Sequence, residues 1–558
     1  MFIFFLIFSL PLRVFAISPQ PIASHGGMVV SEQALATQAG VDILKQGGNA
    51  IDAAVAVGYA LAVVNPCCGN IGGGGFMTIH LANGSNIFLN FREKAPLAAK
   101  ATMYLDANGN VITNKSSIGY LAVAVPGTVL GLDTALQKYG TMKRQQVMKA
   151  AIELAEKGYV LTPYAVTILN ESLPYFKKQI NITDIFLKNN KPYQAGDLLI
   201  QKNLSETLKQ IASNGSSVFY HGDIAKQIVK ASEENDGILT LQDLAQYTVE
   251  ELAPIQCDYH GYQIISAPPP SSGGVALCEM TNILEKYSFE KLNYHSANDV
   301  HYFVEAMRYA FADRNNQLGD PNFVNNPVAK LISKEYARSI QQKIRDNHAA
   351  TDMNSNIEIP YQSLNTTHYS VVDKQGNAVA VTYTLNSYFG AKVMAGNTGF
   401  FLNNEMDDFT AKPGVPNQFG LVQGAANNIQ PGKRPLSSMT PTIVLKDKKV
   451  LMVLGSPGGP RIITATLETL MNVIHYKMNI QEAVDAPRFH HQWLPDTIDF
   501  EDYTFSTDTV KNLEAMGYHF KQQKNWGAVE AIYLDPQTGI LYGANDNRRS
   551  DGRAMGSS

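Results

Sequence analysis

Cysteine is scarce in this chain, with four residues among 558. Cys67 and Cys68 are adjacent, whereas Cys257 and Cys278 stand apart. This spacing excludes a disulfide-dense scaffold and does not match the ligand spacing of a zinc site. We expect buried free thiols, because free cysteine is among the most buried residue types. A Cys257–Cys278 bond, or a vicinal Cys67–Cys68 bond, is the alternative in an oxidising compartment.

An excess of positive charge is also missing. The formal net charge is −4, and no basic run is interleaved with aromatic residues. These properties argue against nucleic acid as a partner. There is no low-complexity tract or repeat of fixed period. Hydrophobic residues make up 45% and charged residues 17% of the chain, as in folded globular proteins. The length is sufficient for a large core or several domains.

Long apolar runs are absent except at the N-terminus, where Phe2 to Leu12 are almost all apolar and Val14-Phe15-Ala16 follow. The run is about a dozen residues, shorter than the ~20 that a membrane-spanning helix needs. It predicts a secretory signal over residues 1–16, with an uncleaved anchor as the alternative, although Arg13 is the first basic residue. We therefore expect a periplasmic or secreted protein with no stable membrane span after signal removal.

Hydrophobic periodicity divides the rest of the chain into a helix-rich part and a strand-rich part. Helices are predicted over Ser31–Lys45, Ile51–Val64, Met142–Lys157, Val300–Asn315 and Arg461–Tyr476. Strands are predicted over Phe76–Leu81, Tyr369–Asp373, Ala378–Thr384, Thr442–Leu445 and Val450–Leu454. The polar residues 352–365 between the two parts are a plausible place for a nick. The pattern predicts layered sheets covered by helices.

Two threonines, Thr366 and Thr367, open the strand-rich part. A threonine hydroxyl is a weak nucleophile unless a base lies beside it, and the residue's own α-amine can be that base after cleavage of Asn365–Thr366. Such an amine titrates near pH 8, so part of it is unprotonated at neutral pH. The doublet alone is far more often an ordinary strand start than a nucleophile.

Eleven motifs in order along the chain make the sequence resemble the γ-glutamyltranspeptidases. They are GGNAIDAAVA at 47–56, IGGGGF at 71–76, FREKAP at 91–96, PGTVLGL at 126–132, PPPSSGG at 268–274, TTHYS at 366–370, TYTLN at 382–386, NNEMDDF at 403–409, KRPLSSM at 433–439, GSPGG at 455–459 and APRFHHQWLP at 486–495. The resemblance implies an N-terminal-nucleophile hydrolase fold of the α/β (α+β) class. This fold is a four-layer αββα sandwich, with two stacked antiparallel sheets between helical layers.

The resemblance also assigns the residues that carry out the reaction. Thr366 is the expected nucleophile both for self-cleavage after Asn365 and for attack on substrate, with Thr367 as the competing candidate. Thr384 matches the threonine that orients the nucleophile. Gly458 and Gly459 are expected to form the oxyanion hole, because glycines let backbone N–H groups approach a ligand closely.

A γ-glutamyl group carries an α-carboxylate and an α-ammonium that the protein must bind. The family positions for the carboxylate are Arg92, Ser437 and Ser438, and those for the ammonium are Asn386, Glu405 and Asp408. Residues 412–424 match a lid loop over the substrate. This lid has Phe419 where some members have tyrosine, so it offers no hydroxyl to Asn386 and we expect looser closure. The tetraglycine 72–75 is interpreted as close packing near the site.

The implied protein is a γ-glutamyltransferase with glutathione hydrolase activity that needs no cofactor and no metal. Its partners would be glutathione or other γ-glutamyl compounds as donors, and water, amino acids or peptides as acceptors. Self-cleavage would give a large chain over 17–365 and a small chain over 366–558, which stay together as a heterodimer. Adjacent His490 and His491 are interpreted as structural, and Asn545–Arg548 departs from the usual family ending, which puts acceptor-side contacts there in doubt.

Three alternative functions remain, and for each of them a feature of the sequence argues against it. A glutaryl or cephalosporin acylase of the same superfamily would act on substrates without an α-ammonium, which Asn386, Glu405 and Asp408 disfavour. A poly-γ-glutamate depolymerase is disfavoured by the lid. A binding protein that no longer processes itself is disfavoured by the intact threonines and glycines.

Overall fold

The computed structural model describes residues 18–350 and 365–557. The predicted signal over residues 1–16, and residues 352–364 of the predicted linker, lie outside the described residues.

The described residues contain the five helices predicted from periodicity, with ends that differ by a few residues, together with twelve further α-helices. They are α1 Ala34–Lys45, α2 Ala50–Val64, α3 Thr128–Tyr139, α4 Arg144–Lys157, α5 Pro163–Phe176, α6 Ile180–Phe186, α7 Lys202–Asn214, α8 Ser217–Tyr220, α9 Asp223–Glu233, α10 Leu241–Ala245, α11 Gly273–Leu284, α12 Ala297–Gln317, α13 Val328–Leu331, α14 Lys334–Gln341, α15 Arg461–Ile474, α16 Ile480–Asp485 and α17 Thr507–Ala515.

The strands occur on both sides of residues 351–364. They are β1 Ile22–Ser24, β2 Met28–Ser31, β3 Gly74–His80, β4 Asn86–Phe91, β5 Tyr159–Val160, β6 Leu187–Lys188, β7 Lys191–Pro192, β8 Leu198–Leu199, β9 Glu250–Leu252, β10 Ile255–Tyr259, β11 Tyr262–Ser266, β12 Thr367–Val372, β13 Ala378–Thr384, β14 Thr442–Lys446, β15 Lys449–Leu454, β16 Phe489–His490, β17 Ile498–Phe500, β18 Phe520–Gln522, β19 Glu530–Leu534, β20 Leu541–Asn545 and β21 Arg553–Gly556.

Two antiparallel sheets of seven strands form the centre of the molecule. One has the order β1-β20-β19-β15-β14-β11-β10, and the other has the order β21-β2-β12-β13-β3-β4-β9. Both sheets contain strands from before and from after residues 351–364. For example, β12 and β13 pair with each other and lie between β2 and β3. The two parts of the chain therefore share both sheets.

The layers are held by three apolar clusters. Val30 of β2, Ile265 of β11 and Val453 of β15 belong to a cluster between the two sheets. The outer face of the β12-containing sheet shares a core cluster with residues of α1 to α9. The outer face of the other sheet shares a second cluster with residues of α11, α12 and α15. This helix–sheet–sheet–helix order confirms the predicted four-layer sandwich.

Helix α2 shows why the inner helices are apolar on every side. All of its residues are buried, and it packs against α1, α4 and strands β12 and β13. Asn49 caps its N-terminus by accepting from the N–H groups of Ile51 and Asp52, and the Asp52 side chain accepts from the N–H of Asn49. A helix surrounded by protein needs no polar face.

Both cysteine pairs are disulfide-bonded, so the expectation of free thiols is wrong. Cys257 of β10 is bonded to Cys278 of α11, and Cys67 is bonded to Cys68 in the turn after α2. The first bond depends on how α11 packs on its sheet, which no local pattern encodes. Among the described residues, no helix is long and apolar enough to cross a membrane.

Candidate active site

The β12–β13 hairpin places two threonines side by side. Thr366 directly precedes β12, and Thr384 ends β13, with Thr367 paired to Tyr383. The Thr366 and Thr384 Oγ1 atoms are 3.1 Å apart. The carbonyl oxygen of Asn365 lies 2.9 Å from Thr366 Oγ1 and 3.2 Å from Thr384 Oγ1. The hydroxyl of Thr366 is thus adjacent to the carbonyl group at which self-cleavage would occur.

Thr384 also fixes the start of the next loop. Its Oγ1 accepts a hydrogen bond of 2.8 Å from the N–H of Asn386. Asn386 has a φ of 77°, in the left-handed region that asparagine tolerates better than most residues. Its Nδ2 donates to the carbonyl oxygen of Asn404 at 3.1 Å. The side chain of Asn386 therefore lies against the 403–409 segment.

A buried ion pair lies against the backbone of Thr366, and sequence reasoning missed it. Arg549 pairs with Glu32, and its Nη1 lies 3.4 Å from the Thr366 carbonyl oxygen. Glu32 accepts from the N–H of His368 at 3.1 Å. Burial raises the pKa of Glu32, although Arg549 opposes that shift. The two charges fix the first residues of β12, and since 517 residues separate them no local pattern could have found the pair.

The predicted oxyanion loop connects β15 to α15. Gly459 lines the same pocket as Thr366, whereas Gly458 is not among the lining residues. Gly458 and Gly459 have φ values of 135° and 56°, which favour glycine. A Cβ at Gly455 would lie 2.4 Å from the imidazole ring of His368. The glycine therefore lets the loop approach β12 beside the threonines.

His368 acts in this packing as a neutral ring. Its Nδ1 is 2.8 Å from Thr382 Oγ1, and its Nε2 is 3.1 Å from Ser370 Oγ. Burial lowers the pKa of His368 to about 3. The ring is uncharged at neutral pH and packs between the strand and the loop over residues 455–459.

The residues predicted to bind the two ends of an amino-acid group are paired with each other. Arg92 is fully buried and contacts Glu405, and its Nη2 lies 2.5 Å from Asp408 Oδ2. Its Nε donates to the Pro435 carbonyl oxygen at 3.2 Å. A third carboxylate, Glu93, lies 3.5 Å from Arg92 Nη1. Burial raises the pKa of Glu93 to about 7 and raises that of Glu405 well above its usual range, with Arg92 opposing both shifts.

A second buried arginine, Arg314 of α12, was also missed. Its Nη2 donates to Ser438 Oγ at 3.3 Å, and its Nη1 donates to Gln423 Oε1 at 2.5 Å. Burial lowers the pKa of Arg314 to about 10, so it stays charged at neutral pH. The sequence signal was present, because position 314 continues the apolar stripe that includes Met307 and Phe311. A charge on an apolar stripe indicates a buried partner.

One narrow pocket connects most of these groups. It is lined by Arg92, Arg314, Thr366, Thr384, Asn386, Glu405, Asp408, Phe419, Leu421, Ser437, Ser438, Met439, Gly459, Pro460 and Ile462. Ser437 is held in place by the N–H of Met439, which donates to its Oγ at 3.0 Å. Phe419 of the predicted lid is 8% exposed and forms part of the wall. The lid is therefore packed over the pocket.

The remaining sequence motifs have structural positions. Cβ atoms at Gly72 and Gly73 would lie 2.0 and 1.9 Å from the carbonyl oxygens of Phe401 and Thr384, so the tetraglycine is close packing beside the site. His490 is near Thr464 and Gln492, and His491 is near Asp496. The described part of the chain contains no cluster of three or more residues suited to hold a metal ion.

Two residues of the segment that departs from the family ending, Asp546 and Arg548, belong to an ionic network. Asp546 is fully buried and pairs with Arg488 at 2.6 Å and with Arg548 at 3.2 Å. Arg548 also pairs with Glu501 at 2.5 Å. Because Arg549 follows in the chain, this network positions the arginine that contacts Thr366.

Comparison with known proteins identifies the family of the chain. A family model described as Gamma-glutamyltranspeptidase matches residues 36–556. The glutathione hydrolase proenzyme of Pseudomonas sp. (strain A14) is 55% identical over 554 residues, which cover 98% of this chain and 96% of that protein. The glutathione hydrolase proenzyme of Escherichia coli (strain K12) is 49% identical, covering 96% of this chain and 93% of the relative.

A solved structure supports the fold independently of those proenzymes. The cephalosporin acylase from Bacillus halodurans superposes with a TM-score of 0.84 at 27% identity, and the match covers 99% of both chains. The family model and the two proenzymes extend over nearly the whole chain. The chain therefore belongs to the γ-glutamyltranspeptidase family.

Proposed function

We propose that this protein is a γ-glutamyltransferase and glutathione hydrolase that activates itself by cutting Asn365–Thr366. The main support is the position of Thr366 Oγ1, 2.9 Å from the Asn365 carbonyl oxygen and 3.1 Å from Thr384 Oγ1. Processing would leave a large chain over 17–365 and a small chain over 366–558, held together by the shared sheets. The signal over residues 1–16 would direct the precursor to the periplasm or outside the cell.

Self-cleavage begins with attack of the Thr366 hydroxyl oxygen on the carbonyl carbon of Asn365. The hydroxyl proton passes to the departing amide nitrogen, and the peptide becomes an ester between the two residues. This shift frees the α-amine of Thr366. Water then opens the ester, which leaves a carboxylate on Asn365 and restores the hydroxyl of Thr366. Thr384 supports this step because its hydroxyl is within hydrogen-bond distance of both the attacking oxygen and the carbonyl oxygen.

Substrate turnover uses the same oxygen with the new amine as base. The amine takes the hydroxyl proton as the oxygen attacks the γ-carbonyl carbon, and the leaving amine of the donor then receives that proton. In this proposal the N–H groups of Gly458 and Gly459 stabilise the oxyanion, and the support for Gly459 is that it lines the same pocket as Thr366. Water attacks the resulting ester to give glutamate, or the amine of an amino acid or peptide attacks it to give a new γ-glutamyl amide.

Recognition of the γ-glutamyl group would exchange partners within the pocket. The α-carboxylate of the donor would bind Arg92, Ser437 and Ser438. The α-ammonium would replace the guanidinium as the partner of Glu405 and Asp408, with Asn386 as a further acceptor. Charge-assisted bonds of this kind are about twice as strong as neutral ones. The site therefore favours donors that carry both charges.

The cephalosporin acylase alternative has the weaker support. Its substrates lack the α-ammonium, whereas Arg92 has three carboxylate neighbours in this pocket. The acylase from Bacillus halodurans is 27% identical to the chain, while the two glutathione hydrolase proenzymes are 55% and 49% identical.

Two assays test the proposal. Intact mass of the wild type, Thr366→Ala and the control Thr367→Ala would measure cleavage at Asn365–Thr366. Turnover of γ-glutamyl-p-nitroanilide and of glutaryl-p-nitroanilide, which differ by the α-ammonium, would measure the substrate class. We expect two fragments and γ-glutamyl preference in the wild type, and an intact, inactive Thr366→Ala. A glutaryl preference would favour the acylase, and an uncleaved but active wild type would exclude Thr366 as an amine-activated nucleophile.

A further inference from the structure

The turn that carries Asp408 also carries a buried carboxylate that faces the other way. Residues Glu405–Asp408 form a short 3-10 turn. Asp408 points to Arg92, whereas Asp407 Oδ1 accepts from Ser116 Oγ at 2.6 Å and Asp407 Oδ2 accepts from the N–H of Gln418 at 3.2 Å. Asp407 therefore joins the loop over residues 111–118 to the middle of the lid.

Gln418 is fixed by its side chain as well as by its backbone. Its Oε1 accepts from Ser387 Oγ at 2.9 Å, and Ser387 Oγ accepts in turn from Asn404 Nδ2 at 3.0 Å. These contacts connect the lid to the loop after β13 that also carries Asn386. Gln418 is therefore attached to two parts of the substrate pocket, one through Asp407 and one through Ser387.

The residue after Gln418 closes the pocket. The Asn417 side chain accepts from the N–H groups of Phe419 and Leu421 at 3.0 and 3.1 Å, which shapes the turn at the tip of the lid. Phe419 and Leu421 line the pocket that contains Thr366. Because Phe419 directly follows Gln418, we expect a displacement of Gln418 to displace this wall of the pocket as well.

The lid is a thin wall with space behind it. A second cavity of ≈ 220 Å³ lies between residues 111–117 and the outer face of the lid, and Asp407 and Gln418 are among its lining residues. Leu421 lines both this cavity and the substrate pocket. Because packing behind the lid is incomplete, we expect hydrogen bonds to contribute strongly to the stability of the closed lid.

We propose that Asp407, held by Ser116, is the latch of the lid over residues 412–424, and that this latch limits the size of the donors and acceptors that reach Thr366. Asp407 is in this sense a positioning residue, since it acts through Gln418 and Phe419. The inference rests on the proposed γ-glutamyl transfer for its substrate class. Other contacts hold the same lid, including the bond of 3.2 Å from Gln492 Nε2 to the Phe419 carbonyl oxygen, so loss of the latch loosens the lid without unfolding it.

The sequence contains a matched control for the latch. Ser116 and Ser117 are neighbours of similar burial, but Ser117 Oγ donates to the Asn114 carbonyl oxygen within its own loop. Ser116→Ala removes one donor to Asp407, and Ser117→Ala removes a hydroxyl whose hydrogen bond lies within its own loop. Ser116→Thr keeps the hydroxyl. Asp407→Asn leaves one side-chain oxygen to accept from both Ser116 Oγ and the N–H of Gln418.

The test compares these variants in the processed enzyme by two readouts. Chymotryptic cleavage after Phe419, located by mass, measures opening of the lid. The ratio of kcat/KM for a γ-glutamate oligomer to that for γ-glutamyl-p-nitroanilide measures access for large donors. For Ser116→Ala and Asp407→Asn we expect both to rise about tenfold, the scale of one hydrogen bond to a charged group. Ser117→Ala should resemble the wild type, and Ser116→Thr should restore most of the protection.

Three outcomes would overturn the latch. They are equal behaviour of Ser116→Ala and Ser117→Ala, no change in cleavage after Phe419, or faster cleavage with an unchanged donor ratio. Ser116→Ala keeps the test decisive if Asp407→Asn does not fold. If no variant, including the wild type, turned over any γ-glutamyl donor, the proposed function would fail, while the proteolysis would still report on the latch.

Discussion

Replacing Thr384 by valine removes one hydroxyl and keeps the shape of the side chain. In the structure this hydroxyl is 3.1 Å from Thr366 Oγ1 and 3.2 Å from the Asn365 carbonyl oxygen, and it accepts from the N–H of Asn386 at 2.8 Å. Thr384→Val would therefore leave the nucleophile without its nearest hydroxyl neighbour and a buried N–H group without this acceptor.

The size of the effect follows from the charge that develops on the Thr366 oxygen. A hydrogen bond to a charged group contributes about 1.5–3 kcal/mol. At about 1.4 kcal/mol for each factor of ten, its loss in the transition state slows the reaction about 10- to 150-fold. The same factor should apply to self-cleavage and to acylation, because both steps begin with attack by the same oxygen.

The assay must separate this loss from a general loss of stability. Thr78 of β3 is a suitable control, since it is fully buried in the same sheet and donates to the Pro441 carbonyl oxygen at 2.8 Å. Precursor conversion would be followed by intact mass, and the p-nitroaniline burst would be measured per processed site. Thr384→Val should be slow in both assays, and Thr78→Val should be near wild type in both. Conversion of Thr384→Val within twofold of wild type, or equal slowing of Thr78→Val, would refute the reasoning.

Three further predictions concern charge, pH and covalent cross-linking. Arg92→Lys loses the planar pair of contacts to two carboxylates, so KM for γ-glutamyl-p-nitroanilide should rise about 10- to 100-fold with near-normal precursor conversion. An unchanged KM would contradict the role of Arg92. The pKa of His368 is about 3 in the folded protein, below the usual value of 6.5, so the unfolded chain binds more protons between these two pH values. Stability should therefore fall as pH drops from about 6.5 towards 3, and His368→Gln should make Tm depend less on pH in that range. The Cys257–Cys278 bond spans a sequence separation of 21, so the double variant Cys257→Ser, Cys278→Ser should lower the free energy of unfolding by about 3 kcal/mol in a denaturant titration. An unchanged midpoint would show that the bond does not constrain the unfolded chain.

Local patterns predicted the elements well, because periodicity reports which face of an element is buried. The stripe through Val304 and Phe311 correctly indicated α12. Element ends were less accurate: the first helix was predicted from Ser31, but β2 extends to Ser31 and α1 begins at Ala34. There Gln33 acts as the N-cap by accepting from the N–H of Leu35, a role that glutamine seldom has.

Contacts between residues far apart in the chain could not be predicted from the sequence. The family motifs placed Arg92, Glu405 and Asp408 in one pocket, but they assigned them to opposite ends of a substrate. Their mutual pairing joins residues more than 300 positions apart, as the separations of 313 and 316 show. The assigned roles of the site residues remain predictions that the variants above will test.

The sharing of both sheets between the two parts of the chain has a consequence for the lifetime of the enzyme. If Asn365–Thr366 is cut as proposed, neither product contains a complete sheet, because β2 and β3 belong to one product and β12 and β13 to the other. Folding of the precursor is a unimolecular event, whereas reassembly of the mature enzyme would require two separate chains to meet. After maturation, recovery of the folded enzyme would therefore depend on the concentrations of the two chains, whereas refolding of the precursor does not. The mature protein would then depend on a slow rate of unfolding rather than on recovery after it.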